Sequence, residues 1–283
     1  MPIQITETKI KILEHVARYY VTTRHLIQKI YFPHVTGPRS VNKMLNKLLS
    51  EKYMSVASMS LVPNGKHASP VYYPNSKTAQ TLRDWYDDEQ WLDIFIKSPK
   101  ASRLYHWIEI SYTHYLLEQA VAATDGVSLL TYANEWEPLN KGSAKNRQFT
   151  LHSKLRESPP LACQPDAGCL LERKPNRKVF YLEVDRGTSS INRIIQTKPP
   201  GYAELLRQER HRKHFPETTV RSFGVLFVTT DISRRDRLIE AIKGRPGDSL
   251  WRAASQSDLS PKKFFTAPVW RSPKQDDLVT LLA

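Results

Sequence analysis

Apolar residues recur at helical spacing along the first fifty positions, and shorter apolar segments bounded by turn residues dominate afterwards. Over residues 6–20, TETKIKILEHVARYY, the side chains of Ile10, Leu13, Val16 and Tyr20 share one helix face, with Thr6 placed to cap the start. After a break at Val21-Thr22, Thr22 or Thr23 caps a second short helix carrying Leu26, Ile27, Ile30 and Tyr31, which Pro33 ends. The turn Thr36-Gly37-Pro38 leads into a third helix, RSVNKMLNKLLSEK, striped by Val41, Met44, Leu45, Leu48 and Leu49. Tyr53 to Val62 reads as a strand, Pro63-Asn64-Gly65-Lys66 as a turn and Pro70 to Tyr73 as the returning strand. Residues 77–97 read as a further helix packed through Leu82, Trp85 and Trp91, and its acids Asp84, Asp87, Asp88 and Glu89 make a solvated face. Ser98-Pro99-Lys100 is the linker, which divides the chain into domains 1–99 and 100–283.

The second domain has a different rhythm. A long helix over 104–123 precedes segments rich in β-formers at 127–136, 147–151, 160–172 and 178–185. A helix over 189–213 follows, then the apolar run SFGVLFVTT (222–230), suited to a buried strand, and a helix near 233–243. The order α-β-β-β-α-β implies a mixed sheet flanked by helices, so the expected fold class is α+β. Beyond Gly244 the pattern suggests a short helix around Leu250-Trp251 and a final strand from Phe264 to Trp270. Pro261, Pro268 and Pro273 with Lys262, Lys263, Arg271 and Lys274 mark a loop-rich basic extension.

Three short helices followed by a hairpin is the order of a winged helix-turn-helix. On the third helix, Arg39, Asn42, Lys43, Asn46 and Lys47 lie opposite the apolar stripe. Arg and Lys donate to phosphates or base edges and Asn pairs with adenine, so this face suits a major groove; a solvated charged face is the plainer reading of the helix alone. Lys66 and His67 at the hairpin tip would lie along the backbone or in a minor groove. Charge strengthens the nucleic-acid reading. Lys and Arg number 42 against 28 Asp and Glu, a net +14, and such an excess gains affinity from a polyanion by releasing its counterions.

Other classes recede. No G-x-x-x-x-G-K-[ST] loop occurs, which argues against an ATPase, and no G-x-S-x-G elbow is present. Cys163 and Cys169, the only two cysteines, fit no zinc ligand set and read as buried reduced thiols; His106 and His114, two helical turns apart, read as packing or surface residues. Met1-Pro2-Ile3-Gln4 lacks a secretory pattern and no apolar stretch nears the roughly 18 residues of a membrane span, so a cytoplasmic protein with no membrane contact is expected.

The candidate chemistry lies in the second domain. Pro165-Asp166 stands at or before one strand, and Glu183-Val184-Asp185 ends the next, with residues 183 and 185 on one face by the period of two. If the two strands pair as a hairpin, Asp166 approaches the same end. Carboxylates converging there hold Mg²⁺, which polarises a phosphodiester and lowers the pKa of an attacking water. Basic residues at the end of the 189–213 helix (Arg207, Arg210, His211, Arg212, Lys213, His214) and in a turn (Arg173, Lys174, Arg177, Lys178) offer a second DNA surface.

This segment resembles the PD-(D/E)XK nuclease superfamily, and the chain from about residue 7 to 230 resembles the replication-relaxation family of plasmids and mobile elements. The resemblance is carried by His106-Trp107-Ile108-Glu109-Ile110, Asn134-Glu135-Trp136, Pro165-Asp166, Leu182-Glu183-Val184-Asp185-Arg186-Gly187-Thr188, and Lys198 followed by Tyr202. It implies a winged helix joined to a nuclease-like domain, with Asp166 and Glu183 holding Mg²⁺ or Mn²⁺ and Asp185 as a further ligand. The superfamily pattern wants Glu-X-Lys, and position 185 is Asp, so the activating cation falls to Lys198, or else to Arg186 or Arg193. Two functions stay open: a metal-dependent endonuclease acting in replication, relaxation or processing of DNA, or a non-catalytic regulator or replication accessory factor without a cofactor. Duplex DNA is the expected partner; a homodimer and replication or mobilisation proteins are left open as others.

Overall fold

The computed structural model describes residues 5–58, 70–139 and 149–282, which form an α+β protein dividing into two units, 1–115 and 116–283.

In the first unit, α1 (Glu7–Tyr19), α2 (Arg24–Tyr31) and α3 (Arg39–Ser50) meet on the expected apolar stripes. Ile10, Leu13, Val16, Ile27, Val41, Leu45 and Leu48 are fully or almost fully buried in one core. Thr6 occupies the cap position of α1, but its side chain makes no capping hydrogen bond; Glu7 in the first turn still complements the helix dipole. Thr23 does cap α2, accepting from the Leu26 N–H at 3.3 Å. β1 (Thr22–Thr23), β2 (Ser55–Ser58) and β3 (Pro70–Tyr73) form an antiparallel sheet in the order β1-β3-β2. The predicted turn at 63–66, with Lys66 and His67, lies outside the described residues. A capping box between Asn75 and Thr78 starts α4 (Ser76–Tyr86). The helix expected through residue 97 stops at Tyr86, because Asp87 turns to φ 50° and Asp88 caps a short 3-10 turn at 89–93. Leu82 is buried as expected, whereas Trp85 is 48% exposed.

The division between the units falls within α5 (Leu104–Ala122). Among the described residues of the second unit, β4 (Ser128–Asn134), β7 (Ala167–Arg173), β8 (Asn176–Val184), β9 (Phe223–Thr229), β10 (Trp251–Ser255), β11 (Trp270–Ser272) and β12 (Gln275–Val279) form one mixed sheet. Its order is β12-β11-β10-β9-β8-β7-β4. The β4-β7-β8 part is antiparallel and β8-β9-β10 parallel. Every position of β9 is buried, which is why its sequence is a continuous apolar run. One sheet face, from Leu170, Val179, Tyr181, Val225 and Phe227, packs in a core with residues of α6 (Ile191–Arg207) and α8 (Ile232–Ile242).

Two sequence readings change here. The segment 160–172 is not one strand: β6 (Leu161–Cys163) pairs with β5 (Ser153–Arg156), and Gln164-Pro165-Asp166 separates it from β7. Pro165 has no N–H to give a ladder, so the chain leaves one sheet there and enters another. The tail is likewise not a helix followed by a strand at 264–270. A 3-10 turn at 248–250 leads into β10, whose Trp251 and Ala253 extend the core, while Phe264 and Phe265 are buried in a turn region. The Trp270 indole donates to the Phe264 carbonyl at 2.8 Å and fixes that turn against β11.

Candidate functional site

Three antiparallel strands bring three carboxylates into register. Ala167 pairs with Leu182 and Asn134 with Ala167, so one step further Asp166 falls opposite Glu183 and Glu135 opposite Asp166. The Glu135 N–H donates to the Asp166 carbonyl at 2.9 Å, extending the ladder by that step. Directly opposed residues of an antiparallel pair point to the same face, so all three acids share one face at one end of their strands. Carboxylate oxygens of Glu135 and Asp166 lie within 4.8 Å of each other. Exposure is 3% for Glu183, 8% for Asp166 and 9% for Glu135. Like charges opposed across strands destabilise a sheet, and buried carboxylates need compensation, so the site must hold positive charge.

Part of that charge comes from α6. Lys198 reaches Glu183 with its Nζ 2.7 Å from Oε2 and 2.8 Å from Oε1, and also donates to the Gln164 carbonyl at 3.1 Å. One turn along the same face, the fully buried Tyr202 donates to Glu183 Oε1 at 2.6 Å. The Asp166 carboxylate accepts the Val184 N–H at 2.7 Å, which ties its orientation to β8. Burial pushes the Glu183 carboxyl up to about 7; Lys198 opposes that push and the charge of Asp166 adds to it. Lys198 itself is held above the ordinary lysine range, because attraction to Glu183 and Asp166 outweighs its desolvation.

Asp166, Glu183 and Lys198 are thus brought together, and Asp185 is not part of the group. Asp185 lies beyond the last residue of β8, where its carboxylate is ion-paired with Arg234 of α8 and accepts the Gly187 N–H at 3.1 Å. Its N–H still donates to the Val228 carbonyl at 2.9 Å, and the ion pair with Arg234 is what engages its carboxylate. Glu135 and Tyr202 were not read from the sequence as site residues. The signals were there: Glu135 ends an apolar strand segment as Glu183 does, and Tyr202 stands four residues after Lys198 on one helix.

In the first unit, Arg39, Asn42, Lys43, Asn46 and Lys47 are all exposed on α3, opposite Val41, Leu45 and Leu48. Lys47 lies 3.5 Å from Glu51 in a surface ion pair. The second basic surface is thinner than its sequence suggests. Arg207 forks onto Glu204 at 2.7 and 2.6 Å, Arg212 lies 3.6 Å from Glu209, and Arg177 bonds Glu172 at 2.8 Å and Glu217 at 3.3 Å. His211, in α7 (His211–His214), is fully buried, and His214 shares hydrogen bonds with Tyr181 at 2.6 Å and Ser153 at 3.0 Å. Arg173, Lys174 and Lys213 remain exposed. Cys163 and Cys169 are buried and unbridged, and burial pushes the Cys169 thiol up to about 12. His114 is buried with its ring edge-on to Tyr19, 5.0 Å between centroids, a packing role. Among the described residues no helix is long and apolar enough to cross a membrane.

The sequence matches the family model described as Replication-relaxation over residues 13–218, more than half of the 283-residue chain. No curated protein and no solved structure matches it.

Proposed function

Because the chain belongs to the replication-relaxation family, we propose that it binds duplex DNA of a plasmid or other mobile element through its first unit and cleaves phosphodiester bonds with its second. The observation that carries the cleavage reading is the set of three buried carboxylates in register, met from α6 by Lys198 and Tyr202.

Aligned carboxylate oxygens are hard donors and suit Mg²⁺ or Mn²⁺, so the residues present fit such an ion. Asp166, Glu183 and Glu135 would hold it, and it would supply Lewis-acid polarisation of the phosphodiester and a more acidic attacking water. The protein's own groups do the rest. Tyr202 and the Val184 N–H fix the orientations of Glu183 and Asp166. Lys198 sets a positive charge beside them, where it offsets carboxylate repulsion and stabilises charge developing on the phosphoryl oxygens. The α6 lysine takes the role of the lysine in Glu-X-Lys, displaced by fifteen residues from Glu183 in sequence but reaching it in space. The second unit is on this reading PD-(D/E)XK nuclease-like.

For the first unit, the helix order α1-α2-α3 and the β1-β3-β2 sheet support a winged helix-turn-helix, with α3 as the recognition helix. Arg39, Lys43 and Lys47 would contact phosphates or guanine edges, and Asn42 and Asn46 would pair with adenine.

The test incubates the purified full chain with supercoiled, linear and single-stranded DNA, with Mg²⁺, Mn²⁺ or EDTA. Metal-dependent cleavage is expected, and it should vanish in Asp166→Ala, Glu183→Ala and Lys198→Met. Cleavage that survives Asp166→Ala and Glu183→Ala overturns the site. DNA binding with no cleavage under any metal overturns the nuclease reading and leaves a non-catalytic accessory factor.

A further inference from the structure

A second feature of unit two lies outside the carboxylate group. A cavity of about 730 Å³ opens between the β5–β6 hairpin and the segment after α6, lined among others by His152, Lys154, Arg156, Glu157 and Arg210. Three permanent cations and a histidine thus face a single carboxylate. The neighbouring basic residues are spent on acids, as Arg207 is on Glu204 and Arg212 on Glu209, whereas Lys154 is exposed and no ion pair engages it among the described residues. Arg156 is held by its Nε on the Pro159 carbonyl at 3.0 Å, and Arg210 by its Nε on Gln208 at 3.1 Å. Neither of these bonds neutralises charge.

The walls are fixed from several sides. Gln208 donates to the Leu155 carbonyl at 2.8 Å, Ser153 bonds His214 at 3.0 Å, and α6 approaches β6 through Gly201, where an added Cβ would stand 3.2 Å from the Ala162 carbonyl. A preformed groove whose guanidinium and ammonium groups form no ion pair among the described residues, Arg156 acting only at longer range on Glu204, suits a phosphate. Its floor strand continues into the candidate site: Ala162 lines the cavity and Asp166 follows four residues later, at most about 14 Å of extended chain.

We propose that this groove binds the phosphodiester backbone of the DNA on one side of the bond being cut. Lys154, Arg156 and Arg210 are its phosphate ligands. The proposal rests on the reading of unit two as a DNA-cleaving unit, and it adds a binding site that the carboxylate group does not include.

The experiment measures binding of the full chain to fluorescent single-stranded and duplex oligonucleotides in EDTA, across a salt series. Each phosphate neutralised contributes roughly 0.9 to the slope of log affinity against log salt for duplex and roughly 0.7 for a single strand. The Lys154→Ala/Arg156→Ala/Arg210→Ala variant should therefore lose about 2 to 3 from that slope on the form the groove prefers, with α3 intact. Lys154→Arg should keep the slope. If the triple variant fails to fold, Lys154→Ala alone, at an exposed position, should lose a little under 1. Tight wild-type binding with an unchanged slope in the variants overturns the groove and leaves the cleavage reading standing. A slope lost in the triple variant, together with cleavage lost and binding intact in Asp166→Ala, upholds both, and absence of any DNA binding by the wild type overturns both.

Discussion

Glu183 sits at the end of an inward-facing stripe, Val179-Tyr181-Glu183, where an apolar residue would continue the core. A carboxylate survives there because Lys198 and Tyr202 meet it, and those partners were only partly readable beforehand: the sequence marked Lys198 as a displaced cation but said nothing of the Tyr202 hydroxyl. His214 is a second residue whose role depends on its surroundings. It reads as one more base in a basic run, yet burial, with His211, Arg210 and His152 nearby, pulls its pKa down to about 4. The folded value lies below the ordinary 6.5, so between the two the unfolded chain binds the extra proton. Stability from the neutral His214 is complete above pH 6.5 and is lost as pH falls towards 4, by on the order of 2 kcal/mol after allowing for partial exposure. Urea unfolding of wild type and His214→Gln at pH 7.5 and pH 4.5 checks this. The wild type's advantage should shrink by that amount at the lower pH, and an unchanged gap would refute the assignment.

At the scale of elements, apolar periodicity located most helices and strands because burial on one face imposes it directly. It misplaced the breaks. Residues 160–172 form a continuous β-prone stretch, but the missing N–H of Pro165 splits them between two sheets, and that break delivers Asp166 to the strand end. Strand packing also depends on where a side chain is absent. Gly224 of β9 pairs with Phe180 of β8, and a Cβ at Gly224 would stand 2.7 Å from the Phe180 ring. Both strands are central and buried, so the ring has little room to yield. Gly224→Ala should cost about 1 to 3 kcal/mol, seen as a lower Tm, and should cost less in a Phe180→Leu background. Equal losses in both backgrounds would mean that the ring is not the obstacle.

For the whole molecule, the excess of 14 positive charges is distributed unevenly in its effect. Many cations of unit two answer local acids, while the exposed face of α3 carries Arg39, Lys43 and Lys47, of which only Lys47 is in an ion pair among the described residues, 3.5 Å from Glu51. If α3 is the recognition helix, Arg39→Ala/Lys43→Ala/Lys47→Ala should weaken duplex binding and flatten its salt dependence by up to about 3 in slope. Asp166→Asn should leave binding in EDTA unchanged. Fluorescence anisotropy over a salt series reads both, and wild-type affinity in the α3 variant would remove that helix from the interface.

The sequence by itself determined the order of three helices ahead of short strands in the first unit, the amphipathic α3, the buried β9 strand and the candidates Asp166, Glu183 and Lys198, because periodicity, capping and residue chemistry are local properties of a chain. Only the tertiary structure decided which candidates meet. Antiparallel register brings Glu135 beside Asp166 and Glu183, α6 folds Lys198 and Tyr202 onto Glu183, and Arg234 of α8 engages Asp185. Register and helix docking join residues far apart in sequence, and no spacing along the chain encodes them.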